Sequence, residues 1–128
     1  MSLQEKIGQL FMPVIFSSDP KVKTDEIKNL IQNQYIGGII FSKGGPKRQA
    51  KLNNEYQALS RTPLLMAMDA EWGLAMRLDS TFAYPWNMTL GAITNNKIVE
   101  KVGKRIGEQT KRMGMHINFA PVVDINTN

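Results

Sequence analysis

Leu64-Leu65-Met66-Ala67-Met68-Asp69 carries the fold class of this chain. A short apolar run, set off by Pro63 and closed by a carboxylate, is too brief for a helix; it reads as a strand buried on both faces, as parallel sheets require. Upstream of it, Gly44-Gly45-Pro46 is a turn with proline set to begin a helix, and Ala50, Leu52, Tyr56 and Leu59 give that helix an irregular apolar face up to Ser60. Before that turn, Ile39-Ile40-Phe41 is a second fully apolar strand, and Gly37-Gly38 is expected to end the helix over Thr24–Gln34, where Ile27, Leu30 and Ile31 recur at helical spacing. Leu10 to Phe16 reads as another strand, preceded by a short helix over Leu3–Gln9 with Ser2 and Glu5 at capping-box spacing.

Downstream, Asp79 to Asn87 reads as a polar and aromatic loop. Asn95 to Met113 then carries Ile98, Val102, Ile106 and Met113 on one helical face and stops at Gly114. His116 to Ile125 closes the chain as a fourth strand. The expected fold class is therefore α/β, with about four parallel strands alternating with helices. Two architectures fit: a small doubly wound open sheet, or the first half of a (β/α)8 TIM-type barrel, which needs about 250 residues in full. The ending Asp124-Ile125-Asn126-Thr127-Asn128, at a strand's carboxyl end with no helix after it, favours the half-barrel. Residues 1–128 are then expected to be the amino-terminal half of a truncated barrel domain.

Composition excludes several classes. The 128 residues hold no cysteine and one histidine, His116, so neither a disulfide framework nor a self-contained zinc centre is available, and no metal or cofactor is expected. A net charge of +5 raises the question of a polyanionic partner. The basic residues, however, fall at Lys43, Lys47, Arg48 and Lys51 and along the last helix, where Glu100 and Glu108 stand at helical spacing from Lys104 and Arg112, so solvated helix faces are expected and no nucleic-acid or membrane partner. No apolar run approaches the roughly 20 residues of a membrane span, and the amino terminus is a mixed amphipathic segment unlike a signal peptide, which leaves cytoplasm and bacterial cell envelope or periplasm both open. Gly-x-Gly-x-x-Gly, P-loop and Gly-x-Ser-x-Gly patterns are absent.

Ligands meet parallel sheets at the carboxyl ends of strands, where Asp69 and Asp124 fall. Asp69 is placed to accept hydrogen bonds from vicinal hydroxyls, with Arg77 folding back across a glycine-containing loop to donate to the same ligand. The competing reading has Asp69 capping its loop and Arg77 paired with Asp79 or Glu71, and spacing alone does not separate the two. Glu71, one residue beyond Asp69, is read as loop support and not as half of an acid/base pair. Trp72 either stacks on a sugar ring or covers the core. Asp124 is active-site wall or, preferred here, an acceptor tying down loop amides. His116, at the amino end of its strand, is expected to be core or hydrogen-bonded, and Met66, Met68 and Met76 to be packing residues.

In this order the motifs resemble the amino-terminal barrel domain of glycoside hydrolase family 3, in its β-N-acetylglucosaminidase branch. They are Ser2 to Leu10, Gly37-Gly38-Ile39-Ile40-Phe41, the Asp69-x-Glu71-x-Gly73 loop ending Arg77-Leu78, Tyr84-Pro85 with Met88-x-Leu90-Gly91, and Asn118-Phe119-Ala120-Pro121-Val122-Val123-Asp124. The resemblance implies that Asp69 and Arg77 hold the non-reducing sugar of a carbohydrate substrate, a β-N-acetylhexosaminide or β-glucoside. It also implies a retaining hydrolase whose aspartate nucleophile and histidine acid/base come later than Asn128 in the family pattern, so no catalytic residue is expected in this chain. Trp72 stands where the family loop has glycine, so preference between N-acetylglucosamine and glucose does not carry over. Taken alone the chain is expected to be inactive, and to associate with the remainder of a barrel or with itself through exposed edges. From a different class, the alternative is a self-contained α/β module that binds a sugar or other small ligand without catalysis.

Overall fold

The computed structural model describes residues 1–124. Its elements run α1 (Leu3–Gly8), β1 (Val14–Phe16), α2 (Lys21–Asn33), β2 (Gly38–Lys43), α3 (Pro46–Leu59), β3 (Leu65–Met68), a 3-10 turn (Leu74–Met76), α4 (Asn87–Gly91), α5 (Asn96–Arg112) and β4 (Ile117–Asn118). The strands form a single four-stranded sheet in sequence order, each neighbouring pair parallel. This is the alternating α/β arrangement with parallel strands that the apolar runs and their glycine and proline boundaries predict.

Register explains which residues are buried. Ile15 pairs with Phe41 and Phe41 with Met68, while Ile39 pairs with Met66, so these five share one face. All five are essentially inaccessible and pack with Ile27 and Ile31 of α2, Tyr56 of α3, and Leu74, Leu78 and Met115. Met66 and Met68 are thus the core residues expected; Met76 is half-buried. The opposite face bears Val14, Ile40 and Leu65, and remains open: Val14 is 56% and Leu65 49% exposed. Lys28 ties α2 to α3 through Glu55 at 2.6 Å, and that hydrogen bond holds the ammonium pKa above its ordinary value.

Several boundaries differ from the sequence reading, each for a backbone reason. The first strand does not span Leu10–Phe16: Leu10 and Phe11 still donate back to Ile7 and Gly8 in a helical turn, and Pro13 has no N–H to give a ladder, so pairing starts at Val14. α2 ends at Asn33, and the reversal is made at Tyr35, with φ 55, instead of at Gly37-Gly38; Gly38 is the first residue of β2. The last strand is confined to Ile117–Asn118, short of Pro121, and its expected end at Ile125 lies outside the described residues. A one-turn helix, α4, occupies the region after Trp86. On α5 the ion pair is Arg105 with Glu108 at 3.0 Å, in place of the pairings expected for Glu100 and Arg112. No helix among the described residues is long and apolar enough to cross a membrane.

Candidate functional site

The carboxyl end of β3 gathers the candidate residues because the chain reverses there twice. Gly73 donates to the Ala70 carbonyl at 3.1 Å, closing a turn with Glu71 and Trp72 at its centre. Gly73 then takes φ 95 and ψ −179, a combination open essentially only to glycine, and the 3-10 turn Leu74–Met76 carries the chain back toward β3. Leu74 and Leu78, 6% and 3% exposed, anchor this return in the core. Leu78 forms a parallel bridge with Gly44, and the Asp79 N–H donates to the Gly44 carbonyl at 2.8 Å.

The result is that Arg77 lies on Asp69. Its Nε donates to the Asp69 carbonyl at 2.9 Å and its guanidinium is hydrogen-bonded to Asp69 Oδ2. Spacing left Arg77 free to pair with Asp79 or Glu71. It does neither, because Asp79 is taken by Arg48 at 2.8 Å and the 3-10 turn aims Arg77 inward. Both members of the pair are partly exposed, Arg77 by 24% and Asp69 by 33%, so the pair sits at the surface of the loop cluster. Asp69 Oδ1 is enclosed and has no hydrogen-bond partner among the described residues. An ionised carboxylate offers about four lone-pair sites, and most of those on Asp69 are not used by the protein.

Asn118, at the end of β4, is a positioning residue that the sequence reading did not single out. Its Oδ1 accepts from the Ala70 N–H at 2.9 Å and its Nδ2 donates to the Ala70 carbonyl at 3.3 Å, so one side-chain amide holds the peptide directly after Asp69. The Phe119 N–H adds a bond to the Met68 carbonyl at 2.9 Å. The available signal was positional: an asparagine ending a strand beside the strand that ends in Asp69. His116 is the hydrogen-bonded histidine expected. Its N–H donates to the Met66 carbonyl at 2.8 Å and its Nδ1 accepts from the Met66 N–H at 3.0 Å, which puts the ring proton on Nε2.

The other candidates do not join the pair. Glu71 and Trp72 are half-buried in the turn, and Asp124 is exposed with no hydrogen bond or ion pair among the described residues. An apolar cleft of about 340 Å³ between α1 and α2, lined by Ile7, Phe11, Met12, Pro13, Leu30 and Ile36, lies before the strands begin and therefore at the opposite end of the sheet from Asp69.

Comparison with known proteins narrows the reading. The family model described as the glycosyl hydrolase family 3 N terminal domain matches residues 2–128. A β-N-acetylglucosaminidase/β-glucosidase of Cellulomonas fimi is 27% identical over 128 residues, covering 100% of this chain and 22% of that protein. β-Hexosaminidase A of Pseudoalteromonas piscicida is 30% identical over 116 residues, covering 80% of this chain and 19% of its own length. The chain thus spans about a fifth of the length of these curated relatives. Among solved structures, a fungal multi-domain family 3 β-N-acetylglucosaminidase superposes with TM-score 0.82 at 34% identity, covering 99% of this chain and 16% of that one. A β-glucoside phosphorylase superposes with TM-score 0.89 at 21% identity, covering 100% and 23%, a likeness of fold.

Proposed function

This chain belongs to the glycosyl hydrolase family 3 N-terminal domain family, and from that premise we propose that it forms part of the sugar-binding wall of a retaining β-glycosidase acting on β-N-acetylhexosaminides or β-glucosides. Asp69 and Arg77 are the residues that grip the substrate. The observation that carries this reading is their pairing at the carboxyl end of β3, where the partly exposed Asp69 carboxylate meets Arg77 through Oδ2 alone and that oxygen has a lone pair to spare for a ligand's donor. A sugar offers vicinal hydroxyl donors to the carboxylate and acceptor oxygens to the guanidinium, so a pre-formed acid–base pair suits both roles. Because the charges already compensate one another, ligand binding does not have to desolvate either one alone.

In this reading the chain supplies grip and not bond cleavage, and the residues 1–128 are the amino-terminal half of the barrel domain. The relatives called β-hexosaminidase and β-glucosidase support the activity of the whole protein and the carbohydrate class of its substrate. The test is a two-dimensional NMR titration of the chain with N-acetylglucosamine and with glucose. Shifts confined to residues 69–78, and lost in Asp69→Asn and Arg77→Ala, are expected; shifts elsewhere alone, or none with either sugar, refute the assignment. Hydrogen bonds to charged groups contribute about 1.5–3 kcal/mol, so each substitution weakens binding by roughly tenfold to a hundredfold. Hydrolysis of an aryl N-acetylglucosaminide or glucoside by the purified 128-residue chain would overturn the view that it lacks the catalytic groups.

A further inference from the structure

We propose that His116 is a proton-sensitive latch on the grip at Asp69: its neutral imidazole fixes the start of β4 against β3, so that Asn118, two residues on, can hold the peptide beside Asp69. His116 is thus a positioning residue. The inference rests on the sugar-binding reading of Asp69 and Arg77 and adds to it a control by pH.

The first observation is the bond itself. Pairing of β4 with β3 joins Ala67 to Ile117 and Met68 to Asn118, so Met66 lies one residue before the ladder. There the His116 N–H donates to the Met66 carbonyl at 2.8 Å, and the Met66 N–H, in place of a strand carbonyl, finds His116 Nδ1 at 3.0 Å. An imidazole nitrogen accepts only while it carries no proton; once protonated it is a donor. Met66 is 0% exposed, so loss of that acceptor leaves a buried backbone donor unpaired.

The second observation is the reach of that bond. β4 is two residues long, so the contacts at its start are a large share of what sets its register. At its other end Asn118 Oδ1 accepts from the Ala70 N–H at 2.9 Å and Nδ2 donates to the Ala70 carbonyl at 3.3 Å. Ala70 follows Asp69 directly. Loosening β4 at His116 therefore loosens the peptide that carries the carboxylate.

The third observation is what surrounds the ring. His116 is exposed, so protons reach it from solvent. Residues 62–68, which lead into and through β3, and residues 113–123, which lead into and past β4, carry no other titratable or charged side chain. From α3, the neutral Gln57 bonds both the N–H and the carbonyl of Leu64 at this end of β3. The flanking charges are cations: Lys111 and Arg112 at the end of α5, both exposed, and Arg61 before Pro63, which reaches Glu5 at 3.3 Å. His116 is in no ion pair among the described residues. Nothing on these elements rewards the charged ring. The latched form takes up a proton only by giving up the bond, so falling pH favours the open form and rising pH the latched one. Histidine is the side chain that ordinarily titrates between pH 5 and 8, and the chain has one.

An NMR titration of the 128-residue chain from about pH 7.5 to about pH 5.5 follows the His116 ring together with the Met66 and Ala70 amides, with N-acetylglucosamine affinity measured at both ends. The two amides are expected to move with the same midpoint as the ring and to exchange faster at the acid end. Affinity is expected to fall there on the order of tenfold, the worth of about one hydrogen bond. In His116→Ala the acceptor is gone, so binding is weak at both values. His116→Asn restores it, since Oδ1 stands one bond from Cγ as Nδ1 does and never takes a proton, and its affinity is the same at both. A histidine that only filled space would give no pH profile for asparagine to abolish. Met66 and Ala70 amides that stay in place while the ring titrates, or equal affinity at both values in the parent, overturn the latch and leave the ion-pair site standing. If the sugar shifts nothing in residues 69–78 at either value, the sugar-binding reading falls and the grip with it, while the Met66 and Ala70 midpoints still decide whether the ring latches the loop.

Discussion

Replacing Gly73 by alanine tests whether the Asp69–Leu78 loop is held by its backbone or merely decorated by it. Two costs add. Alanine at φ 95 and ψ −179 occupies a region that non-glycine residues reach only at about 1–3 kcal/mol. Its Cβ would also stand 2.7 Å from the Tyr84 ring and 3.6 Å from Ile106 Cγ1, so the ring must move, an overpacking cost of about 1–3 kcal/mol. Together these predict a loss of about 2–6 kcal/mol, or roughly 8–24 °C in Tm for a chain of this size, measurable by urea and thermal unfolding followed by circular dichroism. A cycle with Tyr84→Ala divides the two costs. Removing the ring relieves the clash and leaves the backbone strain, so the double variant should be about 1–3 kcal/mol more stable than the two single losses summed. A Gly73→Ala variant within about 0.5 kcal/mol of the parent, the range of ordinary surface changes, would refute the argument, because neither the strain nor the clash would then exist.

Two further outcomes follow from other groups. Asn118→Ala removes both hydrogen bonds to Ala70; the Ala70 carbonyl keeps the Gly73 N–H, but its own buried N–H is orphaned, so a loss of about 1–3 kcal/mol and faster amide exchange at Ala70 are expected. Unchanged exchange there would mean that β4 does not hold the loop. Tyr56 is fully buried and its hydroxyl has no partner among the described residues; burial pushes its pKa well above the ordinary value, so the folded state keeps the proton that the unfolded chain releases above about pH 10. Stability attributable to this group is complete below pH 10 and falls as pH rises beyond it, by up to about 1.4 kcal/mol per pH unit. Tyr56→Phe should remove that part of the alkaline slope and cost less than about 0.5 kcal/mol at neutral pH; an unaltered slope above pH 10 contradicts it.

The fold was legible because its apolar runs are short, differ in period from the helices, and are bounded by glycine or proline. Leu64–Met68 and Ile39–Phe41 could be read without tertiary information, since strands of a parallel sheet are apolar on both faces and need no alternation, although the face that bears Leu65 is open in this structure. The first and last strands were overextended for the same reason in reverse. Hydrophobicity at Leu10 and Phe11, or at Val122 and Val123, says that a residue prefers burial and not that its N–H has a ladder partner, and Pro13 and Pro121 each remove one such donor. The α4 turn was missed because a helix of one turn has too few residues to show a period.

At the candidate site, Asp69 and Arg77 could be named from the sequence, but their pairing could not. Asp69 is visible because a carboxylate ends an apolar strand, and Arg77 because it is the basic residue that closes the same loop. Which acid Arg77 meets depends on a positive φ at Gly73 and on the burial of Leu74 and Leu78, three facts expressed only when the chain folds. Asn118 enters the sequence reading only as the first residue of a motif, and its role is hidden for a stronger reason: its bond to Ala70 joins positions 48 apart in sequence, and an asparagine at a strand end has many other uses. The same separation makes it the informative contact. It ties the loop that carries Asp69 to β4 and not to the loop's own residues, so the geometry of the ion pair depends on the sheet being assembled through its last strand. The grip proposed for Asp69 therefore depends on the folded sheet, and a peptide spanning residues 65–78 has every group of the pair without the arrangement on which that proposal rests.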